Sequence, residues 1–358
     1  MISYGRQSIS DDDIAAVVET LRGDWLTQGP IVERFEDAVA EYVGAKYAIS
    51  FSNGTAALHG AVVAAGVETK DHVVTSPLTF MASANAARYV GARPELVDIN
   101  PSTLNIDVER VPIDKPVIPV HFAGLPVRLD LLHQENRVVI EDAAHALGAQ
   151  TPYGPVGNCA NSDMTCFSFH PVKPITTAEG GMVTTNNDEL AKRLKEFRSH
   201  GIVRRPEIDP WYYSINELGF NYRLTDLQSS LGISQLKKID AFITRRNEIA
   251  SRYRDLLKDS PVELPPEAPE GYLHGYHLFV IQVDDRRRIF DALRSAGIGV
   301  QVHYVPVHHH PISQDIELPL GGLPHCDRYY SRAISLPIYP DLTDDEQDFV
   351  VSTLHSNL

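Results

Sequence analysis

Apolar and polar positions follow two rhythms along this chain, one of about 3.6 residues and one of about two. Ser10 and the three aspartates after it can cap a helix, and Ile14, Val17, Val18 and Leu21 recur at helical spacing until Gly23. Phe35, Val39 and Tyr42 repeat the pattern and Gly44 closes it. A short strand, Tyr47–Ser52, then meets a polar turn at Ser52–Thr55, followed by an Ala-rich helix with Leu58, Val62 and Ala65 on one stripe. Further strands are predicted at His72–Thr75, Pro94–Ile99, Val117–His121, Arg137–Glu141, Met164–Phe169 and Gly181–Thr185, with helices between several of them. Such alternation predicts βαβ crossovers and an α/β fold around a mostly parallel central sheet covered on both faces. Val138–Ile140 is apolar on both faces, as a central parallel strand should be.

The texture changes near Leu224. One long helical stretch is predicted from there to Leu257, then a Pro-rich break at Pro261–Pro269, a strand at His277–Val283, a helix at Arg286–Ala296, a strand at Gly299–His303 and a last helix after Thr343. This pattern divides the chain into a large domain, residues 1–235, and a smaller C-terminal α/β domain, residues 236–358.

Charge and composition narrow the function. With 32 Lys and Arg against 47 Asp and Glu, the formal charge of −15 argues against a nucleic-acid or anionic-membrane partner. Any anionic ligand needs a local arrangement that works against this field. Three cysteines without a CxxC pair, an acidic amino terminus unlike a secretory signal, and apolar runs no longer than Ala61–Val67 point to the cytoplasm.

No GxGxxG follows a predicted strand and no Walker pattern occurs, which argues against a Rossmann dehydrogenase or a P-loop enzyme. Asn53-Gly54-Thr55, between a strand and a helix, is either a phosphate seat at a helix amino terminus or an ordinary capped turn. Lys173 differs from most of the nine lysines: it lies in Phe167–Thr177, flanked by prolines, aromatics and hydroxyls, with little competing charge. Such an amine can lose its proton and form a Schiff base, unless it is simply a surface loop lysine. Asp142 ends the apolar strand, where ligands bind in open α/β sheets, and can pair with a protonated ring nitrogen. Asp142 and His145 lack a third metal ligand at usable spacing, and His308-His309-His310 reads as a polar loop, so no metal is expected. A strand-ending aspartate, a lysine 31 residues later, a serine five residues before that lysine and an upstream helix-start anion site together fit pyridoxal 5′-phosphate.

Further motifs carry a resemblance: Leu26-Thr27-Gln28-Gly29, Asn53–Leu58, Thr79-Phe80, Glu141–His145, Gly219–Asp226 and Gln301–Tyr304. On these, and over essentially its whole length, the chain resembles the sugar-nucleotide aminotransferases of the fold-type I pyridoxal-phosphate class. Within that family, Ser168–Gly181, Phe197–Val203 and a histidine at 145, where many relatives carry glutamine, resemble the branch serving pseudaminic acid biosynthesis. The resemblance implies amination of C4 of a UDP-linked 2-acetamido-2,6-dideoxy-4-keto-hexose with glutamate as donor. The alternative is another nucleotide-linked keto sugar, a dTDP-4-keto-6-deoxyhexose or a UDP-4-keto-pentose. A sugar dehydratase of the same fold would carry histidine in place of Lys173. A regulator built on this fold should carry a DNA-binding module ahead of it.

By motif, the resemblance makes Lys173 the Schiff-base and acid–base lysine and Asp142 the partner of the pyridinium nitrogen. It places His145 near the ring hydroxyl and Phe80 on the ring face, with Gly54, Thr55 and Ser168 holding the phosphate. Asn221 would reach the phosphate of a neighbouring subunit's cofactor, which implies a homodimer with shared sites. Tyr4, Trp25, Leu26, Thr27, His303 and Tyr304 would contact the sugar nucleotide.

Overall fold

Local chemistry sets many of the helix ends in the computed structural model, which describes residues 1–132 and 137–358. Ahead of α1 (Asp11–Arg22), the Asp13 carboxylate accepts from the Ser10 backbone N–H at 2.9 Å. After α2 (Pro30–Val43) the chain turns through Gly44 at φ +76°, a left-handed geometry that favours glycine. Asn53 opens α3 (Gly54–Ala64) by accepting from the Ala56 N–H at 2.8 Å. Almost every residue of α3 is buried, so its apolar composition all round matches its place beneath other layers.

Seven strands build the central sheet: β1 (Tyr47–Phe51), β2 (His72–Thr75), β3 (Arg93–Leu96), β4 (Val117–Ile118), β5 (Ile140–Asp142), β8 (Met164–Ser168) and β9 (Gly181–Thr185). Between β5 and β8 lies a small hairpin of β6 (Gln150–Thr151) and β7 (Gly154–Pro155). The spatial order is β3-β2-β4-β5-β8-β9-β1, with β4 joined to β5 by the parallel bridges Val117–Val139 and Val120–Asp142. Only β9 runs against the others, pairing antiparallel with both β1 and β8. Helices α4 (Ala82–Tyr89) and α5 (Asp188–Arg198) complete the layers, and an exposed hairpin, β10 (Ile202–Arg204) with β11 (Tyr213–Ile215), follows.

The helical stretch predicted from Leu224 to Leu257 is two helices, α6 (Asp226–Leu236) and α7 (Ile239–Leu257). At the break, Lys238 Nζ donates to Ser10 Oγ at 2.9 Å and pairs with the buried Asp13, tying the bend to the start of α1. Then come β12 (Phe279–Gln282), α8 (Arg286–Ser295), α9 (Pro324–Arg332), β13 (Ala333–Leu336) and α10 (Asp344–His355), with β12 and β13 antiparallel. The strand expected at Gly299–His303 is absent. That segment makes only single bridges, Ile298 with Ile2 and Gln301 with Ser335, because Gly299 lies against the amino-terminal backbone, its N–H donating to Ile2 O at 2.6 Å.

We propose that the chain divides at 235/236 as its sequence pattern indicates. Two observations qualify how the halves join. Ile239 and Ile243 of α7 pack with Phe35 and Phe169 of the first unit, whereas Ile249, Tyr253 and Leu257 pack with Phe279, Ile281 and Leu354 of the second. The first residues also lie on the second unit, Ile338 N–H donating to Tyr4 O at 3.0 Å. One helix and one terminal segment therefore span both units, and they flank the cavity described next.

Candidate active site

The carboxyl ends of β5 and β8, the first turn of α3, the loop before α4 and the 303–304 segment enclose a cavity of about 700 Å³. Its position beyond the carboxyl ends of parallel strands is where ligands bind in such sheets. Tyr4, Gly54, Thr55, Phe80, Asp142, His145, Ser168, Lys173, His303 and Tyr304 all line it. Four other residues singled out from sequence do not. Trp25, Leu26 and Thr27 are exposed and anchored elsewhere, with Leu26 O accepting from Asp226 N–H at 3.1 Å and Asp226 capping Gly29 and Ile31. Asn221 is also exposed and bridges Ser199 beside the β10–β11 hairpin.

Asp142 is buried and fixed from two sides. Ser83 Oγ donates to Oδ2 at 2.6 Å and Ala144 N–H donates to Oδ1 at 3.1 Å, while Thr79 Oγ1 lies 2.7 Å from Ser83 Oγ. A carboxylate so held is oriented toward the cavity's ligand rather than free to swing. Lys173 lies opposite on the loop after β8, its backbone N–H bonded to His170 O at 2.9 Å. Burial pushes its amine down to about 8, against the opposing pull of the Asp142 charge. It therefore gives up its proton about 2 pH units sooner than an ordinary lysine.

Three imidazoles surround this amine. Burial first, and then the charges of Lys173, His303 and His121, hold His145 well below the usual histidine range. His303, bonded through Nδ1 to Ser335 Oγ at 2.7 Å, is pushed down to about 4 by burial and by Lys173. His277 is lowered likewise by burial, and its ring lies 4.3 Å from that of His145. All three are neutral near pH 7, so Asp142 keeps its charge influence on the site.

The anion seat rests on close backbone approach. A β-carbon on Gly54 would come within 2.9 Å of Ser168 Cβ, and one on Gly181 within 2.4 Å of Asn53 O. Only glycine lets the start of α3 lie this close to the end of β8, leaving Thr55 and Ser168 hydroxyls beside free helix N–H groups. At the mouth Phe80 is 61% exposed, an open aromatic face whose centroid is 6.0 Å from that of Tyr304. An anion cradle, a depressed lysine, an oriented aspartate and an aromatic face fit the phosphate, aldehyde, ring nitrogen and ring plane of pyridoxal 5′-phosphate. Away from the cavity, His308 and His309 both point Nε2 at Asp327 Oδ1, each at 2.9 Å.

Sequence reasoning missed Ser83, His59, Tyr222 and His277. Tyr222 had a signal, since it adjoins Asn221 within the Gly219–Asp226 motif, and so had His59, which directly follows Asn53–Leu58; His277 lines the cavity and Ser83 reaches Asp142 only because distant elements bring them there.

The fold and these groups define a fold-type I pyridoxal-phosphate-dependent transferase. The chain belongs to the DegT/DnrJ/EryC1/StrS aminotransferase family, whose profile it matches over residues 7–355. It is 38% identical to UDP-4-amino-4,6-dideoxy-N-acetyl-beta-L-altrosamine transaminase of Campylobacter jejuni, over 100% of this chain and 98% of that one. Among solved structures, Helicobacter pylori PseC, an aminotransferase of pseudaminic acid biosynthesis, superimposes with a TM-score of 0.91 at 30% identity, covering 99% of this chain and 98% of that one. A putative sugar aminotransferase of Streptococcus pneumoniae in its pyridoxamine-phosphate form gives a TM-score of 0.93 at 27% identity, covering 99% and 98%. The protein is thus a pyridoxal-phosphate-dependent sugar aminotransferase.

The lysine accounts for a pH dependence. If Lys173 is the amine that takes the cofactor's aldehyde, only its neutral form attacks, so capture of pyridoxal phosphate by cofactor-free protein should accelerate about tenfold per pH unit below the Lys173 midpoint. It should level off above about 8. Stopped-flow absorbance between pH 6 and pH 9.5 measures this; a rate still climbing tenfold per unit at the top of that range contradicts the lowered value.

Proposed function

We propose that this enzyme moves an amino group from glutamate to C4 of a UDP-linked 2-acetamido-2,6-dideoxy-4-keto-hexose, the amination step of pseudaminic acid biosynthesis, in the cytoplasm. The observation that carries the reading is the convergence of Lys173, Asp142 and His145 in a cavity whose wall also includes Tyr4, His303 and Tyr304. The name of the Campylobacter relative supports the choice of sugar, as does the histidine at 145.

When bound, pyridoxal phosphate supplies an electron sink through which an amino group passes from donor to ketone. Lys173 Nζ would hold the cofactor and, as a neutral amine, would move the proton at the reacting carbon. Asp142 would keep the ring nitrogen protonated. Gly54, Thr55 and Ser168 would hold the phosphate, Phe80 would meet the ring face and His145 would serve the ring oxygen. Tyr4, His303 and Tyr304 meet the sugar from this subunit.

Trp25, Leu26, Thr27 and Asn221 lie outside the cavity of their own chain, and we assign them to a homodimer interface that shares its sites. Exposed apolar side chains in the hairpin segment that leads to Asn221 support that assignment: Trp211 is 76% exposed and Leu218 81%. Among the described residues, no helix is long and apolar enough to cross a membrane.

The test is a single turnover followed by visible absorbance. Glutamate converts the enzyme to its pyridoxamine form, the glutamate is removed, and the UDP-linked 4-keto-6-deoxy-N-acetyl-altrosamine precursor is added. Rapid return of the original band is expected. A band lost to glutamate but not restored by this sugar overturns the substrate reading, and moves dTDP-4-keto-6-deoxyhexoses and UDP-4-keto-pentoses to the front.

A further inference from the structure

Two hydrogen-bonding facts about His145 are unexplained by the roles assigned so far. Its Nε2 lies 3.0 Å from Tyr304 Oη, with the two rings nearly parallel at an interplanar angle of 23°. Its Nδ1 is buried and has no partner among the described residues. Tyr304 Oη has no hydrogen-bond partner but His145 among the described residues. Tyr304 is half-buried and lines the cavity, and burial raises its phenol above the usual tyrosine range.

Two tautomers can satisfy the Nε2–Oη contact. If Nε2 carries the proton and donates to Oη, the phenol O–H is left without an acceptor and Nδ1 is left as a bare lone pair. If Oη donates to Nε2, the phenol is satisfied and the single ring proton sits on Nδ1. The first arrangement leaves two groups without partners, the phenol O–H and Nδ1, and the second leaves only Nδ1–H, so the second is favoured. A doubly protonated ring is excluded at neutral pH, because burial and the neighbouring Lys173 hold His145 neutral. The outcome is a buried Nδ1–H, on a residue that lines the cavity, for which the described residues provide no acceptor.

We propose that Tyr304 is a positioning residue that acts through His145: its O–H fixes the Nδ1–H tautomer, and that N–H donates to the ring oxygen of the bound cofactor. This rests on the reading that the cavity holds the cofactor with His145 at that oxygen. It gives Tyr304 a part in tuning the cofactor, separate from contact with the sugar. A donor to the ring oxygen steadies its negative charge, so the proton shared between that oxygen and the lysine-bound imine nitrogen leaves at lower pH. Losing the fixed donor raises the midpoint at which the visible band of the resting holoenzyme titrates.

The charged and titratable groups around the pair are Lys173, Asp142, His303, His277, His121 and Tyr4. None is altered in the experiment, which compares four holoenzymes: wild type, Tyr304→Phe, His145→Gln and the double variant. Each is titrated by visible absorbance without substrate. Phenylalanine fills the space of the tyrosine ring, and the glutamine amide presents an N–H with no tautomer to choose.

Tyr304→Phe should raise the midpoint by about 0.4 to 1 pH unit, the range for a net hydrogen bond. In the His145→Gln background the same change should move it by no more than about 0.2 unit. An unmoved midpoint in Tyr304→Phe overturns the proposal. An equal shift in both backgrounds also overturns it, since the hydroxyl would then act without His145. A wild-type holoenzyme lacking any visible band overturns instead the cofactor reading beneath it, so the two failures are told apart.

Discussion

Lys173→Ala should abolish both turnover and the visible absorbance of the bound cofactor, while leaving the fold in place. In the proposed mechanism the side chain has two roles, holding the cofactor and moving the proton at the reacting carbon, and no neighbour can take over either. Asp142 is held by Ser83 and Ala144, and His145, His277 and His303 are neutral imidazoles kept so by burial. The loss of proton transfer alone is worth up to about 10⁴-fold; the loss of attachment comes in addition. The loop survives truncation because its backbone bonds do not involve the amine: Lys173 N–H donates to His170 O, and Phe169 N–H donates to Gly180 O at 2.8 Å. The melting temperature should therefore stay within about 4 °C of the parent. Lys173→Arg should fail as fully, because a guanidinium does not deprotonate. Glutamate-dependent amination surviving in either variant would falsify the mechanism.

The residues that could be found from sequence are those whose partners lie close along the chain. Asn53, Gly54 and Thr55 are contiguous, as are Asp142 to His145 and Ser168 to Lys173, and each run sits where a strand hands over to a turn. The strands β2 and β9 have the predicted limits because their apolar runs end at polar or glycine residues. What escaped depends on distant contacts. Ser83 reaches Asp142 across 59 positions. Asp98 starts α9 by accepting from the His325 and Cys326 N–H groups at 2.9 and 3.0 Å, a cap 227 and 228 residues away that no local pattern could reveal. The 299–303 segment has strand-like residues, yet Gly299 is pressed against the amino terminus instead of pairing in a ladder. The reversed direction of β9 left no mark in the period of its side chains, since strands alternate alike in either direction.

The second large effect is a recovery of activity, and it separates a shared site from a self-contained one. Asn221 is exposed, and its neighbour Tyr222 lines the cavity while its backbone O accepts from Ser52 N–H at 2.7 Å. The chain there passes the rim of its own site with Asn221 outside, beside the apolar hairpin. If that side chain completes the phosphate seat of a partner subunit, Asn221→Ala cripples the neighbour's site and Lys173→Ala cripples its own. Each homodimer is then inactive. A hybrid of the two places both lesions in one site and leaves the other whole. Random pairing at equal expression makes half the dimers hybrids with one intact site of two, so activity should return to about one quarter of wild type. Co-expression of the two variants under different affinity tags, with sequential purification of the hybrid, isolates that species and should show about half the wild-type rate per dimer. Hybrids no more active than the parent variants would place Asn221 in the site of its own chain, and would remove the reason to assign Trp25, Leu26 and Thr27 to a neighbour.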